Sequence, residues 1–519
     1  MRLHDYIEFY ARENPDRPYA EMDGRVVTYH QADLRANQIA QALLAAGLVK
    51  GDRFSYLSKN SIDMAIMFFG ASKAGIVPVP LNYRLAPKEW LYILTDSQAK
   101  LLMAADEFIE GIDSIRSELT NVHTFVDLSD SGTENWSDYG AWLAQVPDTK
   151  PDDDVAEGDQ LYQMYTSGTT GLPKGAMLSQ SAVDSNIQMI AAGLEMTTDD
   201  RFMVAVPMYH AAAAISLMTS ARMGVSIVVH REFAPAAVVN SLEKDRITSA
   251  TLVPAMIQAC LVGVPDIAER SYPHLRYLAY GASPIAQETL REAMRVFDCE
   301  FFQVFGMTET TAAATGLSAE AHRRALSGEP GLLLSAGRAI LGTQIKIVDE
   351  GDVEVERGTI GEICVKGPQL MMGYWNLPEE TEKSLKDGWM HTGDAAYMDD
   401  EGYIYIQDRI KDMIVSGGEN IYPKEVEDAL FEHPAVADAA VIGIPSEQWG
   451  EAVLAFITLK QGEQVTADEF IEFCRPLLAG YKIPRKIEFI DQIPRNVTGK
   501  ILKKDLREPY WQGIERRVS

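Results

Sequence analysis

Short apolar runs alternate with helix-period stretches from early in this chain, and that alternation confines it to parallel sheets covered by helices. Thr28 is a good N-cap, and Tyr29 to Ala46 follows with Ala36, Ile39, Ala40, Leu43 and Leu44 at helical spacing, stopped by Gly47. Arg53 to Ser58 then reads as strand, Ile62 to Ala74 as helix, Ile76 to Pro80 as strand, Pro87 to Thr95 as helix and Lys100 to Ala104 as strand. Asp130 to Glu157 is polar and acidic and reads as a surface connection. Ser179 or Ser181 caps a helix running to about Glu195. Further α/β units follow in Ser226 to His230, Pro235 to Lys244, Ser249 to Val253 and Gln287 to Phe297.

From Gly342 the texture changes to short β-rich runs, Gln344 to Val348 and Glu362 to Val365, separated by Gly and Asp. They predict a small β-barrel-like subdomain over about 342–408. Near Asp408-Arg409-Ile410-Lys411-Asp412 another unit begins. It has helices at Pro423 to Glu432 and Ala467 to Leu478, and strands at Ala437 to Ile442, Ala452 to Leu459 and Lys486 to Ile490. At roughly 110 residues this is the size of an independent α+β domain. A chain of 519 residues exceeds one hydrophobic core. The expected architecture is therefore α/β, with a large N-terminal domain over 1–408 and a small C-terminal domain over 413–519.

The formal net charge of -28 excludes broad binding to nucleic acid or anionic membranes, which need positive surface. An anionic ligand must then be held by a local cluster of cations and backbone N–H groups. Cys260, Cys299, Cys364 and Cys474 are scattered, without the paired spacing of a zinc site or a disulfide framework. A reducing, cytoplasmic setting is the expectation. Met1 to Pro18 lacks the apolar core of a signal peptide, and no window reaches the ~18 to 20 apolar residues of a membrane span.

One loop carries such a cluster: Tyr165-Thr166-Ser167-Gly168-Thr169-Thr170-Gly171-Leu172-Pro173-Lys174-Gly175. Glycines let backbone N–H groups approach a ligand, and concave arrays of them bind anions. The hydroxyls of Ser167, Thr169 and Thr170 and the Lys174 ammonium add donors, so the group that fits is a polyphosphate. A Walker-A reading fails, because that motif needs Gly-Lys-Ser/Thr opening a helix and Lys174 lies between Pro173 and Gly175.

Four further clusters are ordinary turns when taken singly: Tyr280-Gly281-Ala282-Ser283-Pro284, Gln303-Val304-Phe305-Gly306-Met307-Thr308-Glu309, Trp389-Met390-His391-Thr392-Gly393-Asp394 and Pro494-Arg495-Asn496-Val497-Thr498-Gly499-Lys500-Ile501. In this order and spacing, with the loop, they resemble the adenylate-forming superfamily of acyl-CoA synthetases, luciferases and peptide-synthetase adenylation domains. The resemblance extends from about residue 8 to residue 508.

The resemblance implies a two-step reaction. A carboxylate attacks the α-phosphate of Mg·ATP to give acyl-AMP and pyrophosphate, and a thiol then displaces AMP. By motif, Thr166, Ser167, Gly168, Thr169, Thr170, Gly171 and Lys174 would hold the β- and γ-phosphates, and Thr308 and Glu309 would address phosphate and Mg²⁺, with Thr170 also on the metal. Adenine would lie against Gly281, Ala282 and Ser283 and the run Gln303, Val304, Phe305, Gly306 and Met307. Asp394 and Arg409 would take the ribose hydroxyls, with Ile406 nearby. Lys500 matches the family's catalytic lysine, which bridges the carboxylate and the α-phosphate. The family rotates its small domain between the half-reactions, which makes residues 409–412 the hinge, with Lys411 at its centre. Ser416, Gly417, Gly418 and Glu419 would then line the pantetheine tunnel of coenzyme A.

Pro207-Met208-Tyr209-His210 fits the family's segment at the acyl pocket, which gives His210 a role beside the reacting groups. Ala211, Ala214 and Ala312 would help wall that pocket, and small side chains leave room in it. Peptide-synthetase relatives carry an aspartate here to pair with an α-amino group, whereas this chain has His210 and alanines. A buried ammonium without a partner would cost several kcal/mol. The expected substrate is therefore an apolar acid, a medium- or long-chain fatty acid or a bulky aryl acid, and the expected acceptor is free coenzyme A. If Arg222 pointed into the pocket, a dicarboxylate such as malonate would fit. A luciferase-like oxygenase, a non-CoA adenylating enzyme and a nucleotide-sensing protein without catalysis are the rival readings. The oligomeric state stays open, with a homodimer among the options.

Overall fold

The computed structural model describes residues 1–152, 154–166, 172–495 and 501–512. Two compact units emerge, the first comprising Met1–Leu333, Gly337–Gln344 and Val365–Met390. The alternation read from the sequence becomes two large sheets in this unit. One has nine strands in the order Arg338–Ala339, Thr315–Leu317, Glu300–Phe305, Tyr277–Gly281, Ser249–Thr251, Arg201–Val204, Ser226–Val229, Pro18–Met22 and Arg25–Thr28. Its interior pairs are parallel and its outer pairs antiparallel. The other is wholly parallel and runs Val77–Pro80, Arg53–Leu57, Leu101–Ala104, Thr124–Asp127 and Ser137–Asp138. A third, antiparallel sheet joins Gly373–Tyr374, Lys174–Ser179 and Gln160–Thr166.

Helix starts follow the caps. Thr28 accepts from the Gln31 amide while the Gln31 side chain reaches back to the Thr28 amide, opening the helix Tyr29–Ala45. Ser61 caps Ile62–Ala74, and Gly75 at φ +66° ends it. That helix is buried almost all round, and Gly70 lies where a Cβ would meet Ile39 Cγ2 at 2.6 Å. Ser179 is the cap of Gln180–Gly193. The acidic connection Asp130 to Glu157 holds more structure than expected. Ser137–Asp138 extends the parallel sheet, and Tyr139–Leu143 is helical. Trp136, Tyr139, Leu143 and Val155 are buried, so four apolar side chains anchor a segment whose average composition is polar.

The second unit comprises Leu334–Ala336, Ile345–Cys364 and His391–Ser519. Strands Val436–Ser446 and Gly450–Leu459 form a long antiparallel pair, with Lys486–Phe489 added parallel. The helix Pro423–Phe431 and the helix Ala467–Cys474 close over a core that includes Val426, Leu430, Val441, Val453, Ile457 and Phe470. The second helix stops at Cys474, short of the expected Leu478, which is nevertheless buried in the same core. The β-rich stretch supplies Gln344–Val348, Gly361–Lys366, Trp389–Met398 and Ile404–Arg409 to a single sheet. Among the described residues no helix is long and apolar enough to cross a membrane, and none of the four cysteines forms a disulfide.

Candidate active site

In the first unit the two segments expected at the adenine meet at the carboxyl ends of two parallel strands, where open α/β sheets hold their ligands. Tyr280 pairs with Gln303 and Gly281 with Val304, which sets the turn Gly281, Ala282, Ser283 beside Val304, Phe305 and Gly306. A Cβ on Gly281 would fall 2.1 Å from Val304 O, and one on Gly306 would fall 2.4 Å from Ala312 O. Both glycines are required by close backbone approach. Gln303 Oε1 is buried without a hydrogen-bond partner among the described residues, an acceptor suited to a ligand amino group. Backbone strain gathers here too: Ala282, Thr311 and Ala312 lie at φ +68°, +53° and +78°. Non-glycine residues hold such angles only where their surroundings impose them.

Met307 precedes a short 3₁₀ turn, Thr308–Thr310, that buries the Glu309 side chain. Tyr374 Oη donates to Glu309 Oε1 at 2.7 Å. Burial and the Glu309 charge push the Tyr374 phenol well above its ordinary value, so it stays a proton donor. A buried carboxylate fixed by one phenol is the hard oxygen donor that Mg²⁺ accepts. Thr166 ends the strand Gln160–Thr166, opposite Lys174, which starts the next strand. Lys174 Nζ meets Glu380 Oε2 at 2.5 Å. Ser167, Gly168, Thr169, Thr170, Gly171 and Lys500 lie outside the described residues.

His210 is the residue before the helix Ala211–Arg222. Its ring lies 4.5 Å from that of Tyr209, and its Nε2 is buried without a hydrogen-bond partner among the described residues. Desolvation, with a smaller contribution from Arg84, lowers its pKa to about 4, so the ring is neutral at pH 7. Ala211 and Ala214 are buried and Ala312 is half-buried. Arg222 is held elsewhere: Nη1 donates to Tyr6 Oη at 2.5 Å and to Asp184 Oδ1 at 3.2 Å. It lines a groove of ≈ 600 Å³ with Met189, Glu195 and Met223.

In the second unit Asp394 and Arg409 face each other across paired strands, Asp394 Oδ1 lying 2.6 Å from Arg409 Nε. The Gly turn read from the sequence is a bend within the strand Trp389–Met398, made by Gly393 at φ +71°. Glu362 holds that bend. One oxygen accepts from the Gly393 amide at 2.8 Å, and the other lies 2.8 Å from His391 Nδ1. Ile406 is half-buried on the neighbouring strand. Lys411 sits in the 3₁₀ turn Ile410–Asp412. Ser416 and Glu419 close a hairpin whose tip, Gly417 and Gly418, has φ +63° and +89°. Two positive φ values at a two-residue tip are the geometry that admits glycine. The tip is exposed, and Gly417 N donates to Trp449 O at 2.8 Å.

The sequence reading missed Tyr374, Glu380 and Glu362. The available signal was an electrostatic requirement: Lys174 and Glu309 both need partners in a chain without ligand.

Residues 7–375 match the family model of the AMP-binding enzymes, and residues 425–500 match that of the AMP-binding enzyme C-terminal domain. The chain therefore belongs to the AMP-binding enzymes of the adenylate-forming superfamily. It is 38% identical over 518 residues to the fatty acid–[acyl-carrier-protein] ligase ScoC of Streptomyces coeruleorubidus, covering 98% of this chain and 97% of that protein. It is 37% identical over 486 residues to the long-chain-fatty-acid–CoA ligase FadD13 of Mycobacterium tuberculosis, with 93% of each covered. Among solved structures, ATP-bound MatB from Rhodopseudomonas palustris superposes with a TM-score of 0.90 at 29% identity, over 98% of this chain and 99% of that one.

Proposed function

We propose that this AMP-forming acid–thiol ligase activates an apolar carboxylic acid, a medium- or long-chain fatty acid or a bulky aryl acid, and passes the acyl group to coenzyme A. A carboxylate oxygen attacks the α-phosphorus of ATP, the bond to the pyrophosphate oxygen breaks, and acyl-AMP forms. The thiol sulfur then attacks the acyl carbon, AMP leaves, and the thiol proton passes to solvent. The observation that carries the reading is the meeting of Gly281 and Val304 at adjoining strand ends, with the buried Glu309 carboxylate held a few residues further along the chain.

Residue roles follow from charge. Pyrophosphate departure builds negative charge between two anions, so positioned donors supply most of the catalysis. Lys174 and the loop hydroxyls bind the β- and γ-phosphates, and Lys500 meets the charge at the α-phosphate. Glu309 and Thr170 would hold Mg²⁺, which neutralises phosphate charge when bound. Asp394 accepts from the ribose hydroxyls while Arg409 fixes its carboxylate. Lys411 acts as the pivot between the two half-reactions, and Ser416, Gly417, Gly418 and Glu419 admit the pantetheine. Neutral His210 and the alanines Ala211, Ala214 and Ala312 shape an uncharged acyl site. Arg222, the cation that a dicarboxylate substrate would need, is paired with Asp184 and Tyr6, which supports the uncharged acid over the dicarboxylate alternative. The enzyme acts in the cytoplasm.

The test is pyrophosphate release across a panel of fatty, aryl and dicarboxylic acids, with and without coenzyme A. Activity confined to dicarboxylates, or none without an amino acid, would overturn the acid assignment. A carrier-protein thiol is the second reading, favoured by the 38% identity to the acyl-carrier-protein ligase. Thioester formed on holo carrier protein, and none on free coenzyme A, would select it.

A further inference from the structure

Lys174, the lysine that closes the phosphate loop, already holds an anion of its own chain. Its Nζ lies 2.5 Å from Glu380 Oε2 and 5.2 Å from the centroid of the Tyr374 ring. The other oxygen of Glu380 accepts from Lys383 Nζ at 2.9 Å. Backbone pairing delivers these groups to one another. Tyr374 pairs with Ala176, two residues beyond Lys174, and the Tyr374 amide donates to Thr381 Oγ1 at 2.9 Å. The strand Gly373–Tyr374 and the helix Pro378–Ser384 are thereby tied together, with Glu380 in that helix's first turn. Hydrogen bonds from Lys174 and Lys383 hold the Glu380 carboxyl down to about 2, so it is charged at every working pH.

We propose that Glu380 is an internal counter-ion of Lys174 that a triphosphate must displace, which makes Glu380 a positioning residue setting the enzyme's affinity for ATP. This rests on Lys174 belonging to the phosphate site. One ammonium cannot serve two anions at full strength, so part of each ATP binding event goes into breaking the Lys174–Glu380 pair. A triphosphate brings more charge and more acceptor oxygens than one carboxylate and wins the exchange. Lys383 stays on Glu380 and neutralises it once Lys174 has turned away. The Tyr374 ring face remains beside the ammonium in both positions, a contact that favours cations. When pyrophosphate leaves, Glu380 takes Lys174 back. The effect falls on nucleotide binding and not on the chemical step.

The experiment measures the Kd of Mg·ATP by calorimetry on the full chain, in the absence of acid, for the parent, Glu380→Gln, Glu380→Asp, Lys174→Ala and the control Glu379→Gln. Glu380→Gln should tighten Mg·ATP about two- to fivefold, the scale of a partly exposed ion pair. That gain should shrink as salt rises from 0.05 to about 0.5 M. Glu380→Asp should lie between the parent and Glu380→Gln, and Glu379→Gln should match the parent. In steady state, KM for ATP should fall in Glu380→Gln with kcat and the KM for the acid unchanged. If Lys174→Ala weakens ATP binding while Glu380→Gln leaves it unchanged or weaker, the counter-ion inference fails alone. If Lys174→Ala binds Mg·ATP as tightly as the parent, the assignment of Lys174 to the phosphates fails with it.

Discussion

Lys503→Met should be among the costliest single substitutions in the second unit, for reasons the geometry states directly. Lys503 Nζ lies 2.9 Å from Asp408 Oδ2 and 2.9 Å from Glu427 Oε1, and the three side chains are only 11%, 9% and 9% exposed. Glu427 Oε1 also accepts from the Val441 amide at 2.8 Å, and Asp408 Oδ2 from the Lys424 amide at 3.2 Å. Four residues further on, Arg507 pairs with Asp412, so the helix Lys503–Arg507 supplies one cation to each end of the segment Asp408 to Asp412. Methionine fills the space of the lysine stem but leaves two buried carboxylates without a cation. Breaking a buried pair in this way costs about 3–5 kcal/mol. The assay is urea unfolding of the full chain, read by hydrogen exchange at the Val441 amide. The pH dependence has a definite sign. Burial raises the Glu427 carboxyl above its ordinary 4.5 even with Lys503 present, and losing Lys503 raises it further. A raised carboxyl favours the fold at low pH and disfavours it as pH rises through the folded value. The gap between parent and variant should therefore be full at pH 7 and narrow as Glu427 protonates. Combining Lys503→Met with Asp408→Asn and Glu427→Gln should recover most of the loss, since no unpaired charge remains. A cost below about 1 kcal/mol at pH 7 would refute the account, because exposed pairs cost that little.

Three other outcomes are expected. Lys500→Ala should slow acyl-AMP formation by ~10²–10³ and spare thioester formation from supplied acyl-AMP, the loss of one positioned donor; single-turnover measurement of each half-reaction checks it, and equal loss in both refutes it. Tyr374→Phe removes the phenol on Glu309, worth about 1.5–3 kcal/mol for a bond to a charged group. Adenylation should fall roughly tenfold or more, with a raised requirement for Mg²⁺, measured as pyrophosphate release against Mg²⁺ concentration. His210 and His322 both have pKa values lowered to about 4, first by desolvation. A lowered imidazole contributes stability that is present above its unfolded value, about 6.5, and lost as pH falls toward 4. His210→Gln should flatten the stability–pH curve over that window by up to one proton, leaving the share of His322.

The elements that could be read from the sequence are those whose causes are local. A cap such as Thr28 acts on a residue three positions away, and periodicity marks a buried face within a dozen residues. Gly281 and Gly306 were singled out by the resemblance alone, and the structure adds the physical reason for glycine there, since a Cβ at either would run into neighbouring backbone. The partners that govern charge at the site were not legible, because strand pairing brings them together across the chain. Tyr374 reaches Glu309 over 65 positions and Glu380 reaches Lys174 over 206, and no spacing rule spans such gaps. The acidic connection misled for a related reason, since average polarity conceals the side chains of Trp136, Tyr139, Leu143 and Val155, which bury themselves. Strain was hidden most completely of all. Glycine or asparagine announces a left-handed backbone, but Ala282, Thr311 and Ala312 adopt one without any compositional mark. Each costs of order 1–3 kcal/mol and persists only because neighbouring structure imposes it. Ala282 is itself one of the residues that the motif assigned to the nucleotide, and Thr311 and Ala312 come two and three positions after Glu309. Backbone strain thus accompanies the motif without defining it, because ten other described non-glycine residues, Gln98, Glu195 and Arg246 among them, hold positive φ away from these segments.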